Sequence, residues 1–345
     1  MTRFRRLLVS DHAAGWAFIL PSVILVAVFG LVPIVWGLIL SFQKAGLISP
    51  DRQWVGVQNY VRIAHDPKAR QAALNTVYYT LLFVPTSILG ALFAAHALNR
   101  KIALIRFYRL AVFIPVVTST IATGIMFLWL FDRNFGLANW LLGKIGLGPF
   151  GFFDDPDQAM IALVLMTIWG WLGFDAIIYL AALQGVPQHL IEAAAIDGAS
   201  RWTTFWRITW PMLGPATLLL VVWSSISALQ LFDEVFFVTK GGPLGRTSVV
   251  VFYVYRLAFE QGLRSLSLAG YAASIDYLLF LVILVLTLAQ FWLGRRVTHY
   301  QSRAARSLPS TPPRASRGST RARCPVRPAW SRRSGTAFCR SIRGT

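Results

Sequence analysis

The chain has 345 residues, of which 56% are hydrophobic and only 14% charged, with a mean hydropathy of +0.57. A soluble domain cannot hide that much apolar surface, so composition argues against a globular cytosolic protein and for several membrane spans. The formal charge of +19 does not indicate a nucleic-acid binder: eleven of the arginines fall in residues 301–345, with no nucleic-acid-binding module behind them.

Arg3, Arg5 and Arg6 precede a first apolar run at about 17–41. That run is too long for a cleaved signal peptide, continues past Pro33 through Leu40, and is not followed by a small-x-small site. It is therefore expected as a retained span. Five further runs, at about 73–97, 109–131, 159–183, 211–231 and 270–293, reach the roughly 20 residues needed to cross a hydrocarbon core about 30 Å thick. None alternates with period two, so barrel strands are not expected. The fold class that follows is all-α, a polytopic bundle of six transmembrane helices over 17–296. Residues 1–16 form an N-terminal segment and 297–345 a basic tail.

The connections at about 42–72, 132–158 and 232–269 would share one side of the membrane and carry most of the acids, including Asp66, Asp157, Asp233 and Glu234. With the tail left out, eleven Lys/Arg fall on each side. Raw charge does not orient the bundle, although Arg100, Lys101, Arg106 and Arg109 crowd one short connection as cytoplasmic residues do. The tail is rich in Arg, Ser, Pro and Thr and should be disordered. It reads either as an arm for anionic lipid headgroups or, the simpler reading, as a non-native extension. Both cysteines, Cys324 and Cys339, lie in it and the five His are scattered, so neither a disulfide framework nor a metal site is expected.

Between the fourth and fifth runs lies "QGVPQHLIEAAAIDGASRWTTFWRITW", residues 184–210. Pro187 suits the first turn of a helix, Gly198 a left-handed C-terminal cap, and Ser200 the N-cap of a second short helix before Pro211 opens the next span. The result is a helix–turn–helix elbow at the membrane surface. Leu190, Ile191 and Ala194 can face one way while Glu192 and Asp197 stay wet. Physical chemistry alone reads it as an interfacial anchor, with Trp202 and Trp206 at headgroup level.

The spacing is more specific than that. Glu192-Ala193-Ala194, three residues, Gly198, nine residues, Ile208 and then Pro211 resembles the EAA loop of the membrane subunits of binding-protein-dependent ABC importers. Trp210 stands where that pattern has Leu. "WVGVQNY" (54–60), "NT" (75–76), "FIPVVTS" (113–119), "GLANWLL" (136–142), "YLAALQGVP" (179–187) and "TKGGPLGRTSVVVFYVY" (239–255) also resemble landmarks of that family. In this they resemble the glycerol-phosphate, lactose and multiple-sugar permeases.

The resemblance implies a type I importer permease fold for a carbohydrate or polyol derivative. It implies a bacterial inner-membrane location with elbow and termini cytoplasmic. The implied partners are a second permease, two ATPase subunits and an extracytoplasmic binding protein, besides membrane lipid. It implies no catalytic residue, metal or cofactor in this chain, ATP being bound by the partners. The loop would form a coupling helix docking on an ATPase, with Glu192, Ala193, Ala194, Asp197, Gly198, Ile208 and Pro211 as its signature positions. An ion-coupled secondary transporter is the alternative, but no inverted repeat is visible. A membrane-embedded enzyme would need a nucleophile–base or metal constellation that the isolated His do not provide.

Candidate pathway residues follow from cost. Asp175 and Asp276 lie within spans, where a charge is expensive. Each lines a polar cavity and meets sugar hydroxyls, or pairs between helices or with the other permease; pairing is the simpler reading for Asp276. In the fifth run Ser224, Ser225, Ser227 and Gln230 cluster within two turns, and Ser225 and Gln230 are the pathway candidates. A membrane Ser, however, commonly bonds its own backbone. Trp169, Trp171 and Phe174 could stack on a sugar or simply pack. "KGGPLGRT" (240–247) fails as a phosphate loop, because its glycines are wrongly spaced and Arg246 replaces the Lys.

Overall fold

The computed structural model describes residues 11–46, 52–100, 103–260 and 268–297. Arg3, Arg5, Arg6, Lys101 and all but the first residue of the basic tail lie outside them. Helix α1 (Asp11–Val26) runs through a π-helical turn (Ala27–Leu31) into α2 (Val32–Ser41). A two-stranded hairpin follows, with Gln43 opposite Trp54, and then α3 (Gln58–His65) and α4 (Pro67–Leu98). Next come α5 (Ile105–Phe113), a 3-10 turn (Ile114–Val117), α6 (Thr120–Leu130), the short α7 (Leu137–Lys144) and α8 (Ala159–Gln184). The elbow comprises α9 (Gln188–Ile196), α10 (Arg201–Thr204), a π-helical turn (Phe205–Thr209) and α11 (Trp210–Met212). The chain closes with α12 (Gly214–Leu229), α13 (Val250–Tyr255) and α14 (Ala269–Val297).

Four stretches are long and apolar enough to cross a membrane: Phe18–Ser41, Pro67–Leu98, Ala159–Gln184 and Ala269–Gly294. The other two expected spans are bent pairs. The run expected as one helix at 109–131 is instead Ile105–Val117 and Thr120–Leu130, which meet at 104°. Pro115 tightens the first helix into its 3-10 end, Thr118 and Ser119 are extended, and the Thr118 hydroxyl donates to the Pro115 carbonyl at 2.6 Å. The span expected at 211–231 begins earlier. Arg201–Met212 meets Gly214–Leu229 at 65°, so the break lies at Leu213, before Pro215, and Pro211 sits inside the preceding helix.

Lipid tails are as apolar as leucine, so membrane helices associate through close packing, which small residues permit. The central pair, α4 and α8, follows this rule: Ala91, Ala95 and Ala176 are completely buried between them. Gly173 lies so near α5 that a Cβ there would overlap the Val112 carbonyl oxygen. Outward-facing Phe18, Leu81 and Phe93 give the bundle the apolar exterior that lipid requires. The segment Phe18–Ser41 buries none of its most apolar window within the chain.

Several motifs singled out in the sequence act as clasps. In "WVGVQNY", Asn59 Nδ2 donates to the carbonyls of Ser41 (2.8 Å) and Gln43 (3.1 Å), tying the hairpin to the end of α2. In "NT", Asn75 Nδ2 donates to the carbonyls of Gly245 and Ser248, both at 2.9 Å. Thr76 Oγ1 accepts the Val250 N–H at 2.9 Å. The "KGGPLGRT" loop is thus fastened onto α4, with Gly241 and Gly245 taking up left-handed backbone (φ +77 and +75).

Asp66 caps α4, its Oδ1 accepting the Lys68 N–H at 2.9 Å. Its Oδ2 accepts the hydroxyls of Tyr253 and Tyr271, each at 2.7 Å. One carboxylate therefore joins α4, α13 and α14. Burial pushes its pKa upward, but hydrogen bonds from Tyr271, Tyr253 and the backbone outweigh that and hold it below the usual value of 3.8. A depressed folded-state pKa means that its contribution is complete at neutral pH and is lost as pH falls through the carboxylate range. Asp66→Asn is expected to lower the thermal midpoint of the purified protein by on the order of 3 °C at pH 7. The gap to wild type should narrow below about pH 4, as measured by thermal unfolding across pH.

Candidate functional site

The elbow joins α8 to α12. Its first arm, α9, ends in paired bonds that close a left-handed cap: Gly198 N–H to the Ala195 carbonyl (3.1 Å) and Ala199 N–H to the Ala194 carbonyl (2.9 Å). Gly198 stands at φ +78, a conformation that costs a β-carbon-bearing residue about 1–2 kcal/mol. Open space surrounds the position a Cβ would take, so backbone conformation rather than crowding explains the glycine. Ser200 Oγ accepts the Thr203 N–H at 3.2 Å and starts the second arm, as the sequence predicts.

The two arms differ in attachment. On α9, Ala194 is buried and Ile191 half-buried, while Glu192, Ala193 and Asp197 are exposed and Ile196 is 87% exposed. The second arm is anchored. Phe205 and Trp210 pack against the cluster of Ala91, Ala95, Tyr179 and Leu183, and Phe205 meets the His96 ring edge-on at 5.9 Å. Trp202, Trp206 and Trp210 form a ladder with ring spacings of 5.6 and 5.7 Å. Ile208 is half-buried and Pro211 exposed.

A cavity of about 180 Å³ lies among α4, α8 and the end of α12, lined by Tyr79, Phe83, Trp171, Asp175, Trp223, Ser224, Ser227, Gln230, Asp233 and Glu234 with Thr120 and Thr167. A smaller recess of about 70 Å³ shares Thr120, Thr167, Trp171 and Glu234 and reaches Pro115 and Thr118, so the break between α5 and α6 opens onto the same place. Burial pushes the Glu234 carboxyl above its usual pKa; its own backbone N–H opposes this and the neighbouring Asp233 charge adds to it. A larger groove of about 530 Å³ beside α7, lined by Phe135, Trp140 and Leu147 among others, is open at the surface. No group of three or more potential metal ligands occurs among the described residues.

Asp175 and Gln230 stand on the cavity wall. Asp175 is also an interhelical partner: it is buried, and its Oδ2 accepts the Ser87 hydroxyl of α4 at 2.7 Å. Ser225 is turned away, its Oγ accepting from Gln290 Nε2 of α14 at 2.9 Å, while Ser224 and Ser227 face the cavity. Asp276 is exposed on α14 and does not line the cavity. Trp169 packs on Phe127 and Phe174 on Trp171 and Trp223. Thr120, Thr167, Trp223, Asp233 and Glu234 were not distinguishable as cavity residues in the sequence. The two acids fall just past an apolar run, where hydropathy places them in a loop.

A family model described as "Binding-protein-dependent transport system inner membrane component" matches residues 70–299. The chain is 37% identical over 287 residues to the lactose transport system permease protein LacF of Rhizobium radiobacter, covering 81% of this chain and 94% of that protein. It is 35% identical over 294 residues to the arabinooligosaccharides transport system permease protein AraP of Bacillus subtilis, covering 83% and 90%. In three dimensions it is similar, with a TM-score of 0.71 and 27% identity, to a chain of a bacterial ABC transporter involved in the import of the acidic polysaccharide alginate. That match covers 86% of this chain and 99% of that one.

The Ser87–Asp175 contact is open to direct test. Ser87→Ala leaves a buried carboxylate oxygen without its donor and is expected to cost roughly 1 kcal/mol. Asp175→Asn keeps an acceptor and should cost less. Denaturant titration in mixed micelles measures both.

Proposed function

We propose that this chain, which belongs to the family of binding-protein-dependent transport system inner membrane components, forms part of the translocation pathway of an ABC importer for a carbohydrate or polyol derivative. It is a multi-pass transport permease rather than an enzyme, as its relatives are. The substrate class rests on kinship, since its relatives are named for lactose and arabinooligosaccharides. The cavity suits such a ligand: indole faces accept the apolar sides of sugar rings, and Ser224, Ser227, Gln230 and the carboxylates accept or donate hydrogen bonds to hydroxyls.

The observation that carries the coupling half of the proposal is the unequal attachment of the elbow. Its first arm offers Glu192 and Ile196 outward, as a docking helix must, while its second arm is fixed to the core through Phe205 and Trp210. The elbow joins the helices that carry Asp175 (α8) and Gln230 (the end of α12). A displacement of α9 therefore reaches the cavity along two rigid helices, and such elements transmit rigid-body motion without dissipating it.

On this reading α9 docks on a partner ATPase, with elbow and termini cytoplasmic. ATP is bound and hydrolysed there; the loop at 240–247 lacks the glycine spacing and the Lys of a phosphate-binding loop. A second permease completes the pathway and covers faces that a lone bundle would leave to lipid, including Asp276 on α14. An extracytoplasmic binding protein delivers the substrate.

Glu192→Lys is expected to abolish ATPase association and uptake while leaving membrane insertion intact, as read by co-purification and vesicle transport; normal uptake would refute the coupling role. Gly198→Val should cut uptake at least tenfold, and Gly198→Asn, which tolerates left-handed backbone, should restore most of it.

A further inference from the structure

We infer that the cavity between α8 and the end of α12 discriminates by charge, taking sugar units that are uncharged or carry an amine and rejecting those that carry an acid. This rests on the pathway reading above and adds a substrate property that kinship leaves open.

The wall is one-sided. Asp175, Asp233 and Glu234 line the cavity, and among the described residues no Lys, Arg or His lines it or the recess beside it. Asp175 is only 2% exposed and uses Oδ2 for Ser87. Its second oxygen takes no part in that bond, and the residue lines the cavity. Nothing in the salt-bridge pattern neutralises the other two acids: the ion pairs among the described residues are Arg246 with Asp157 and Arg256 with Glu260.

Ligand chemistry follows from that wall. A hydroxyl can donate to a carboxylate in a charge-assisted hydrogen bond, and an ammonium does so with the added attraction of opposite charge. The faces of Trp171 and Trp223 hold the ring while these bonds form. A uronate, sulfate or phosphate has only acceptors at its charged group. It would place a negative charge beside acids in a medium where like charges repel strongly.

The test uses the whole transporter in lipid nanodiscs without its binding protein, so that the binding protein's own selectivity does not enter. Matched probes differing only in charge are titrated by ligand-observed NMR: glucose, glucosamine and glucuronate, and the corresponding galactose set. The expected result is that the neutral and amino sugars bind and each uronate binds at least tenfold more weakly. Glu234→Lys should bring the uronates within threefold of the neutral sugars. If that variant does not assemble, Glu234→Gln should narrow the same ratio at least threefold. Uronates binding as tightly as neutral sugars to the wild type would overturn the charge selectivity and leave the pathway reading standing. Failure of every probe to bind would overturn the carbohydrate pathway itself.

Discussion

The close contact between α4 and α8 is what the remaining structure hangs from. In lipid there is no water to drive helices together, so two helices hold only where their backbones approach closely or a polar pair locks them. Here alanines supply the approach and the Ser87–Asp175 bond supplies the lock. Asp175 also lines a cavity, so the residue that fastens the bundle is part of the cavity wall. α4 then serves as a post. Asn75 and Thr76 hold the 240–250 loop to it, Asp66 gathers Tyr253 and Tyr271 at its start, and His96 meets the elbow near its end.

On the proposed coupling role, the elbow and the cavity are two ends of one device. α8 and α12 emerge from the cavity and are joined at the far end by a short arm that presents Glu192 and Ile196 outward. The same elbow with both arms free would be a surface anchor and nothing more. Anchoring the second arm through Phe205 and Trp210 gives a motion of the first arm somewhere to go. The Trp202–Trp206–Trp210 ladder is compatible with interfacial anchoring as well, so the two readings of this stretch are complementary.

Length and hydropathy made the apolar segments legible, because a membrane imposes a minimum span that nothing else in the sequence mimics. Local chemistry made the elbow legible: Gly198 and Ser200 act as caps wherever they stand. The breaks at Thr118–Ser119 and Leu213 were not legible, since Pro is tolerated within membrane helices when neighbours satisfy the freed backbone. Whether Pro115, Pro211 or Pro215 marks a bend is decided by packing. Helical phase was likewise hidden. Ser224, Ser225 and Ser227 are equivalent in composition, and only the pairing of Ser225 with Gln290 shows which way the helix is turned. Glu234 was legible only as a loop acid, because hydropathy assigns an acid beyond a span to a loop, although the chain folds it back beside Thr120 and Trp171.

The central claim is that the exposed arm of the elbow docks on a partner ATPase. Ile196, 87% exposed at the end of α9, is the position to interrogate. A photo-crosslinking amino acid placed there in the assembled transporter should yield one principal adduct, with the mass of this chain plus an ATPase subunit. Its yield should change when ATP is bound. Adducts confined to lipid, or none to the ATPase in a complex that still transports, would contradict the coupling role of the elbow.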